Sequence, residues 1–373
     1  MIDLLALQTR YRRIKYMLLE KGWRYLFNYL WVGAIYNNDF MRDLFLVRWY
    51  PRFVFYPKYF ELEITTRCDL RCTMCEHTYW KEKPRDLTLE QFKMIVDQFP
   101  DLKWLGTTGI GSSFLNKDYL KMLEYAKKKK VYIELFDPCH RLDAGLAEKI
   151  VADGLLDRLY ISIDGATKET YEKIRVGADF DQVVHNIKYI VDAKRKHKTM
   201  FPEISFHFII SKTNYKEVPR MIELVYELTR HDNIGVMFSH LLHPFEEIKG
   251  DVFVLPKALK EETHQLSKKH KVRAIWGKNA REEKQPINKC TEWIMPFIFA
   301  DGSVIPCCAG NEANRRDFQV KHRLGNIFEE PFAAIWNGPK YRNLRDAIHR
   351  GYVPIPCQDC PGYETIEVET KNK

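Results

Sequence analysis

The sequence predicts an α/β protein built on a parallel β-sheet that is either open or curved into a partial barrel. From residue 59 onward, short apolar runs of the β type alternate with amphipathic helical runs. Six such units in a row are typical of parallel βα architecture. The 373 residues include 45% apolar and 29% charged residues, which is the composition of a globular chain of one large or two modest domains.

Each predicted unit consists of a strand followed by a helix. The predicted strands are Phe60–Ile64, Trp104–Thr107, Val131–Phe136, Arg158–Ile163, Ile204–Ile210 and Gly235–Phe238. The predicted helices are Leu89–Gln98, Asp118–Lys128, Ala144–Ala152, Thr167–Ile174, Phe180–Lys194 and Tyr215–Leu228. We expect residues 1–58 to form a basic aromatic helical extension, 59–249 the core, 250–285 a linker with a helix at Pro256–Lys269, and 286–373 a Cys-rich domain.

The first 58 residues have an unusual composition. They hold ten Lys and Arg against four Asp and Glu, which is +6 of the total net charge of +9, and fifteen of them are aromatic. Two amphipathic helices are predicted, at Gln8–Leu19 and Tyr25–Tyr36. Either these helices pack on the core with their cations in solvent, or they form a membrane-surface patch, since Trp, Tyr, Lys and Arg suit the headgroup region. No nucleic-acid-binding motif is present, so we expect no nucleic-acid partner.

The compartment that we expect for this protein decides how its cysteines are interpreted, and it favours metal or catalytic chemistry. The longest uncharged N-terminal window, Tyr25–Asn38, is shorter than the roughly 20 residues that span a bilayer. The first residues lack the features of a signal peptide, so we expect a cytoplasmic protein, with peripheral membrane contact as an option. In a reducing compartment, clustered cysteines favour metal binding over disulfides. Eight of the nine cysteines are clustered, and only Cys139 stands alone.

The first cluster is Cys68-x3-Cys72-x2-Cys75, directly after the first predicted strand. Three thiolates on a short loop can hold three corners of a [4Fe–4S] cluster. The fourth iron is then left open to a small chelating molecule. A three-cysteine zinc site completed by His77 is the alternative, although zinc sites prefer paired cysteines far apart in the sequence.

At this loop the sequence resembles the radical S-adenosylmethionine superfamily over about residues 59–245. The resemblance implies a partial (β/α)6 TIM-like barrel with a [4Fe–4S] cluster whose open iron binds S-adenosylmethionine. Reductive cleavage of this cofactor yields a 5′-deoxyadenosyl radical that abstracts a substrate hydrogen, and an electron donor such as flavodoxin or ferredoxin is implied. The protein's part is to position the cofactor and to exclude water.

Further matches assign the residues expected to bind the cofactor. Met74 belongs to the cysteine loop, and Gly109, Gly111 and Ser112 stand where the family has a Gly-Gly-Glu-like segment. Ser112 departs from the family pattern, because the acidic residue is missing. Ser162 and Asp164 end the fourth predicted strand, with Ser162 at the ribose-contacting position. Arg175 resembles an arginine that meets the cofactor carboxylate, for which a forked guanidinium is suited.

The second cluster resembles the SPASM/twitch extension of the same superfamily, over about residues 286–365. It consists of Cys290, Cys307, Cys308, Cys357 and Cys360. The Asp301-Gly302 turn predicts a hairpin with strands at Phe297–Ala300 and Val304–Cys307. Four cysteines can close one auxiliary [4Fe–4S] cluster, and we assign Cys290, Cys307, Cys357 and Cys360. Cys308 competes with Cys307, since neighbours on a strand point to opposite sides, and a four-cysteine zinc ribbon is the alternative site.

Catalytic groups are expected at the carboxyl ends of the strands, where barrel enzymes place their active sites. Five candidates follow from their positions: Glu134, Asp137, His207, His240 and His243. The strand-end argument favours Asp137, His240 and His243.

One auxiliary cluster resembles the arrangement in the twitch-type alcohol dehydrogenase of aminoglycoside biosynthesis. The first hypothesis is therefore an oxidoreductase that oxidises or epimerises a small molecule: a carbohydrate, a cyclitol or a phosphate- or lipid-linked sugar. The second hypothesis is a maturase that modifies a ribosomal peptide or a protein side chain. The third is a non-catalytic iron–sulfur or metal-binding module.

Overall fold

The computed structural model describes residues 11–364 apart from 37, 53, 82, 231–233, 241–245, 278–283, 310–314 and 361. Twelve strands are present in the described residues: β1 Tyr59–Leu62, β2 Arg71–Cys72, β3 Trp104–Thr107, β4 Tyr132–Asp137, β5 Arg158–Ser162, β6 Arg175–Val176, β7 Glu203–Ile210, β8 Gly235–His240, β9 Arg273–Trp276, β10 Phe297–Ile298, β11 Ser303–Ile305 and β12 Gly325–Asn326. All six predicted barrel strands are found, and their ends shift by at most two residues.

The α-helices lie between and around these strands. In the described part of the chain they include Trp23–Ile35, Asp39–Arg42, Glu76–Tyr79, Leu89–Asp97, Tyr119–Lys128, Ala144–Ala152, Lys168–Ile174, Phe180–Lys196, Val218–Thr229, Lys257–His270, Arg316–Lys321, Phe332–Asn337 and Pro339–His349. Side-chain caps fix several helix starts: Thr88 and Gln91 form a reciprocal capping box, and Thr167 accepts a hydrogen bond from the Thr170 amide as its N-cap. Such caps satisfy amide groups that the helix itself leaves unpaired.

Ten of the strands form one sheet in the order β12-β11-β10-β1-β3-β4-β5-β7-β8-β9, and β2 pairs with β6 separately. Within the large sheet, β1, β3, β4, β5, β7 and β8 run parallel to one another, whereas β2 and β6 pair antiparallel. This α/β arrangement with a largely parallel, open sheet confirms the predicted fold class. The predicted linker contributes more than a helix, because β9 adds a further parallel strand beside β8.

The C-terminal Cys-rich segment continues the same sheet. β10 pairs in parallel with β1, and β11 and β12 follow it as antiparallel strands. The predicted hairpin at Asp301-Gly302 therefore exists, with shorter strands than expected. Gly302 has φ of +84°, and a side chain there would strike Phe328 at 2.4 Å, so the turn requires glycine.

Side chains of alternate residues face the interior of the curved sheet. The register places Glu134 on β4 beside Arg158 on β5, and Arg158 beside Glu203 on β7. Closer to the carboxyl ends of the strands, Ser162 is level with His207. The charged layer therefore lies deep in the barrel, and the layer above it forms the floor of a cavity.

The N-terminal helices cover the other end of the barrel. The Tyr29 ring stacks on Trp104 at 6.1 Å, and Tyr25 donates a hydrogen bond of 2.7 Å to the Val131 carbonyl. Trp104 begins β3 and Val131 precedes β4, so these contacts lie at the amino ends of the strands. The extension thus packs on the core, on the side opposite to the carboxyl ends of the strands. No helix in the described part of the chain is long and apolar enough to cross a membrane.

Candidate active site

A cavity of about 440 Å³ opens at the carboxyl ends of the barrel strands. Its wall includes the three loop cysteines, part of the Gly-x-Gly-Ser segment, the ends of β4 through β8 and residues of the C-terminal module. The lining residues used below are Glu61, Cys68, Cys72, Met74, Cys75, Glu76, Gly109, Gly111, Ser112, Phe136, Ser162, Arg175, His207, Ile209, Met237, Ser239, His240, Phe297 and Cys308. Parallel barrels place their reactive groups at this end.

The cysteine loop is held from two sides. Residue Cys72 on β2 pairs with Arg175 on β6, and the Thr78 hydroxyl donates a hydrogen bond of 2.6 Å to the Cys72 carbonyl. On the other side, the Ser112 amide donates to the Arg67 carbonyl at 2.8 Å. These contacts fix the backbone that presents the three thiols to the cavity.

Gly111 explains why the Gly-x-Gly-Ser segment needs glycine. A Cβ at Gly111 would lie 2.2 Å from the Thr65 carbonyl oxygen, far inside van der Waals contact. The segment therefore passes directly against the backbone that leads into the cysteine loop. This close approach positions the loop, and it does so independently of any bound cofactor.

The thiol chemistry fits an iron–sulfur cluster. Cys68, Cys72 and Cys75 border one cavity, and burial raises the pKa of Cys68 to about 11 and of Cys75 to about 12. Thiols in such surroundings need a cationic partner to stabilise their thiolate form. Within the described ranges, no three His, Cys, Asp or Glu side chains converge on one metal ion.

Arg175 lies beside the cysteine loop, where it is buried and contacts other protein side chains. Its Nη2 is 2.5 Å from Asp164 Oδ2, and its Nη1 is 3.9 Å from Cys72 Sγ. Burial lowers the pKa of Arg175, but the charges of Asp164 and Cys72 outweigh it and raise the pKa above its ordinary value. Arg175 is therefore a fixed cation next to the thiol trio, and it supplies positive charge there.

Asp164 occupies a different position from the one predicted. It is fully buried, and its Oδ1 accepts a hydrogen bond of 2.8 Å from the Ile209 amide. Its carboxylate forms an ion pair with Arg175, and Asp164 itself does not border the cavity. The other six predicted cofactor-binding residues, Met74, Gly109, Gly111, Ser112, Ser162 and Arg175, all border it.

The predicted catalytic groups are not brought together. His240 borders the cavity, and His243 lies outside the described residues. Asp137 is buried, accepts a hydrogen bond of 2.7 Å from the Cys139 amide and is 3.4 Å from Ser112 Oγ. Because Phe136 faces the cavity, its neighbour Asp137 faces the other side of β4. This position does not support the predicted role of Asp137 as a base.

Two cavity residues lie outside the set that the sequence favours: Glu61 was not named, and His207 was named only among the five candidates. Glu61 on β1 borders the cavity and accepts a hydrogen bond of 3.1 Å from Tyr59. His207 on β7 also borders it, with Nε2 2.9 Å from Ser239 Oγ. Burial lowers the pKa of His207 to about 4, so its imidazole is neutral at neutral pH. The period-two alternation of side chains along β1 and β7 was the signal that could have placed Glu61 and His207 on the cavity face.

The second cysteine cluster lies in the C-terminal module. The thiol of Cys290 is buried, and its pKa is raised well above the ordinary value by burial and then by the neighbouring Cys357 and Cys360. The charges of Cys307 and Cys357 both contribute to the raised pKa of the buried Tyr341 hydroxyl. These shared electrostatic neighbours are consistent with one auxiliary cluster held by the four assigned cysteines, and that assignment remains a prediction.

Cys308 points to the other side of its segment. It borders the active-site cavity and contributes to the raised pKa of Tyr59, which lies in the barrel. The strand ends at Ile305, and Cys308 begins a helical turn, whereas Cys307 precedes that turn and is buried. This placement favours Cys307 over Cys308 as the auxiliary-cluster ligand, and that assignment remains a prediction.

A buried ion pair joins the barrel to the C-terminal module at the edge of the cavity. Arg316 contacts Glu63 through Nη2 and Oε2 at 2.7 Å and through Nη1 and Oε1 at 3.2 Å. The Arg316 amide also donates a hydrogen bond of 2.8 Å to Glu76, the residue after Cys75. The position of the cysteine loop is therefore coupled to that of the C-terminal module.

A parallel partial barrel with three thiols on the loop after its first strand defines a class of radical-generating iron–sulfur enzyme. Comparison with protein families agrees with this description: residues 62–240 match the Radical SAM superfamily, and residues 290–361 match the SPASM iron–sulfur cluster-binding domain. The chain belongs to the radical S-adenosylmethionine superfamily and carries a SPASM domain. Its cofactors are S-adenosylmethionine and iron–sulfur clusters. One cluster belongs to the S-adenosylmethionine site, and the SPASM domain binds auxiliary iron–sulfur.

Three comparisons describe its similarity to known proteins. The chain is 26% identical to the tungsten-containing aldehyde ferredoxin oxidoreductase cofactor-modifying protein of Pyrococcus furiosus, over 81% of this chain and 87% of that protein. It is 24% identical to the mycofactocin maturase of Mycolicibacterium smegmatis, over 43% of this chain and 40% of that one. The structure of Streptococcus suis SuiB bound to precursor peptide SuiA matches with a TM-score of 0.62 and 13% identity, over 84% and 75% of the chains.

Proposed function

We propose that this radical S-adenosylmethionine enzyme is a maturase that abstracts hydrogen from a peptide or protein side chain. The observation that carries the proposal is the apolar part of the cavity wall. Phe136, Ile209, Met237 and Phe297 form most of it. Apolar pockets with a few polar groups bind amino-acid side chains well.

A sugar or cyclitol would be a poor fit to this wall. Its hydroxyl groups need several hydrogen-bonding partners, because a polar group buried without one is costly. The polar lining residues that are not assigned to the cofactor are Glu61, Glu76, Thr108, His207, Ser239 and His240, beside a larger apolar part of the lining. The relatives, which include a mycofactocin maturase and a cofactor-modifying protein, likewise give no support to a sugar substrate.

The chain's own residues would act at three points. The three loop thiols would hold the cluster at which S-adenosylmethionine is reductively cleaved to a hydrogen-abstracting radical. Arg175 would stabilise the negative charge of the bound thiolates and of the cofactor carboxylate. The apolar wall would exclude water from the substrate radical, which is the protein's main task in such chemistry.

The similarity to the cofactor-modifying protein favours a second candidate. That relative matches 81% of this chain. The candidate is modification of a non-peptide cofactor precursor in the same cavity. It shares the radical chemistry and differs only in the substrate.

The test uses the reconstituted enzyme under anaerobic conditions with dithionite and S-adenosylmethionine. Formation of 5′-deoxyadenosine is measured by mass spectrometry, with and without a desalted extract of the host cell. We expect the extract to stimulate formation, and we expect prior protease treatment to remove the stimulation while periodate, which cleaves sugar diols, leaves it. Stimulation that survives protease but not periodate would overturn the peptide proposal. A Cys68→Ala variant serves as the inactive control.

A further inference from the structure

The N-terminal extension exposes an unusual amount of apolar surface. Of fifteen large apolar side chains that are exposed in the described chain, nine lie between residues 11 and 49. Four of them define what we call the docking face: Leu19, Trp23, Phe27 and Leu30, which are 70%, 69%, 56% and 48% exposed. Clusters of this kind are rare on soluble proteins and mark interaction sites.

The docking face is one side of an amphipathic helix. Trp23, Phe27 and Leu30 are four and three residues apart on helix Trp23–Ile35 and therefore share a face. The opposite side buries Tyr25 and Val32 against the barrel. Packing on the core thus accounts for most of the helix's large apolar side chains, but it leaves Trp23, Phe27 and Leu30 directed outward.

Exposed cations surround this face. Arg24 lies within the helix, with its guanidinium 5.7 Å from the Trp23 ring. Lys128 and Lys130 are exposed at the end of helix Tyr119–Lys128, and Asn28 is 3.5 Å from the Lys130 carbonyl. Aromatic side chains rimmed by Lys and Arg are the composition that binds the interface of an anionic bilayer.

A basic cavity of about 280 Å³ continues the same surface. The helix turn that carries Leu19 also carries Glu20, which bonds to Thr199 and Met200 in the cavity wall. The lining of this basic cavity contains six cationic side chains and one carboxylate: Arg12, Arg13, Lys194, Arg195, Lys198, Arg273 and Glu203. Glu203 is already paired with Arg13 at 2.5 Å, so the cavity has an excess of positive charge suited to a phosphate headgroup.

We propose that the N-terminal extension docks this enzyme onto an anionic phospholipid bilayer. Trp23, Phe27 and Leu30 insert into the interface, Arg24, Lys128 and Lys130 contact lipid phosphates, and the basic cavity accepts a headgroup phosphate. The extension covers the amino ends of the strands, whereas the active-site cavity opens at their carboxyl ends. The docked enzyme therefore keeps its active site directed away from the bilayer.

The test measures binding of the full-length, cluster-loaded protein to sedimenting vesicles. One set contains equal parts of phosphatidylglycerol and phosphatidylcholine, and the other contains phosphatidylcholine alone. We expect binding to the anionic vesicles that is much weaker on the neutral ones and that decreases with added salt. Trp23→Ser combined with Phe27→Ser is expected to weaken binding more than about tenfold. Lys128→Gln combined with Lys130→Gln is expected to weaken it by roughly tenfold or more.

Tyr189→Ser is the matched control, because Tyr189 is an exposed aromatic residue on helix Phe180–Lys196, and it is expected to bind like the wild type. Absence of vesicle binding, or equal binding by all variants, would overturn the proposal. A wild-type dimer that Trp23→Ser and Phe27→Ser dissociate without lipid would assign the face to a second copy instead. Binding of free glycerol phosphate without vesicle binding would assign the cavity to a soluble anion. Cleavage of S-adenosylmethionine, measured on the same variants, is expected to be unchanged, so the result is independent of the proposed function.

Discussion

Replacing Arg316 with Met is expected to destabilise the protein strongly, because the carboxylate of Glu63 would remain in the interior without its cation. Glu63 is 1% exposed and Arg316 is 4% exposed. The two side chains form a bidentate pair, and the Arg316 guanidinium lies 3.5 Å from the centre of the Phe299 ring. The remaining hydrogen bonds to Glu63, from the Ala300 and Ile110 amides, are longer, at 3.2 and 3.4 Å.

The expected loss is about 3–5 kcal/mol, which is typical when one partner of a buried ion pair is removed. Most of this cost is the desolvation of the unpaired carboxylate. Adding Glu63→Gln to Arg316→Met removes the buried charge, so the double variant should recover at least about 1.5 kcal/mol. The two substitutions are thus expected to be strongly non-additive, as for any pair in direct contact.

The assay is anaerobic urea unfolding of the metal-free, reduced protein, followed by circular dichroism and analysed by linear extrapolation. Arg220→Met is the control, because Arg220 forms an exposed ion pair with Glu227 at 2.7 Å, and pairs of this kind contribute less than about 1 kcal/mol. If Arg316→Met costs no more than Arg220→Met, or if the double variant is less stable than Arg316→Met alone, the buried-charge reasoning is refuted.

Three further predictions concern the clusters and a buried carboxyl group. Cys68→Ala should abolish formation of 5′-deoxyadenosine, whereas Cys357→Ala should retain cofactor cleavage and lose substrate turnover; cleavage by Cys68→Ala would contradict the site assignment. Cys307→Ala should lose roughly half of the bound iron while Cys308→Ala keeps it, and the reverse pattern in an iron assay would make Cys308 the ligand. Burial raises the pKa of Asp137 from 3.8 to about 6, so its charge costs stability above pH 6 and has no cost below pH 4. At pH 8, Asp137→Asn should therefore have a free energy of unfolding up to about 3 kcal/mol higher than the wild type, and a higher urea midpoint. Equal midpoints at pH 8 would contradict this.

The sequence was sufficient to predict the periodic elements of the barrel. The bounds of strand Trp104–Thr107 and helix Ala144–Ala152 agree with the structure, because each segment has a clear period and clear punctuation. Contacts between distant segments were not predictable in this way. β10 has only two residues, and its parallel pairing with β1 depends on a partner more than 200 residues earlier, which no local pattern discloses.

The candidate site shows the same division. The spacing of Cys68, Cys72 and Cys75 was enough to place the cofactor site, because three thiols on one loop are a local feature. The base could not be selected, since it depends on which face of a strand each side chain occupies. A shift of one residue separates Phe136, which borders the cavity, from Asp137, which does not.

The pairing of β10 with β1 limits how the two modules can move. The Glu61 amide donates to the Pro296 carbonyl at 3.0 Å, and the Glu63 amide donates to the Ile298 carbonyl at 2.9 Å. Swinging the SPASM module outward as a hinged lid would break these bonds and pull on the strand that leads into the cysteine loop. We therefore expect the two modules to keep a fixed arrangement at this seam, and with it a constant separation of their iron–sulfur sites. Any opening of the cavity would then come from movement elsewhere along its rim.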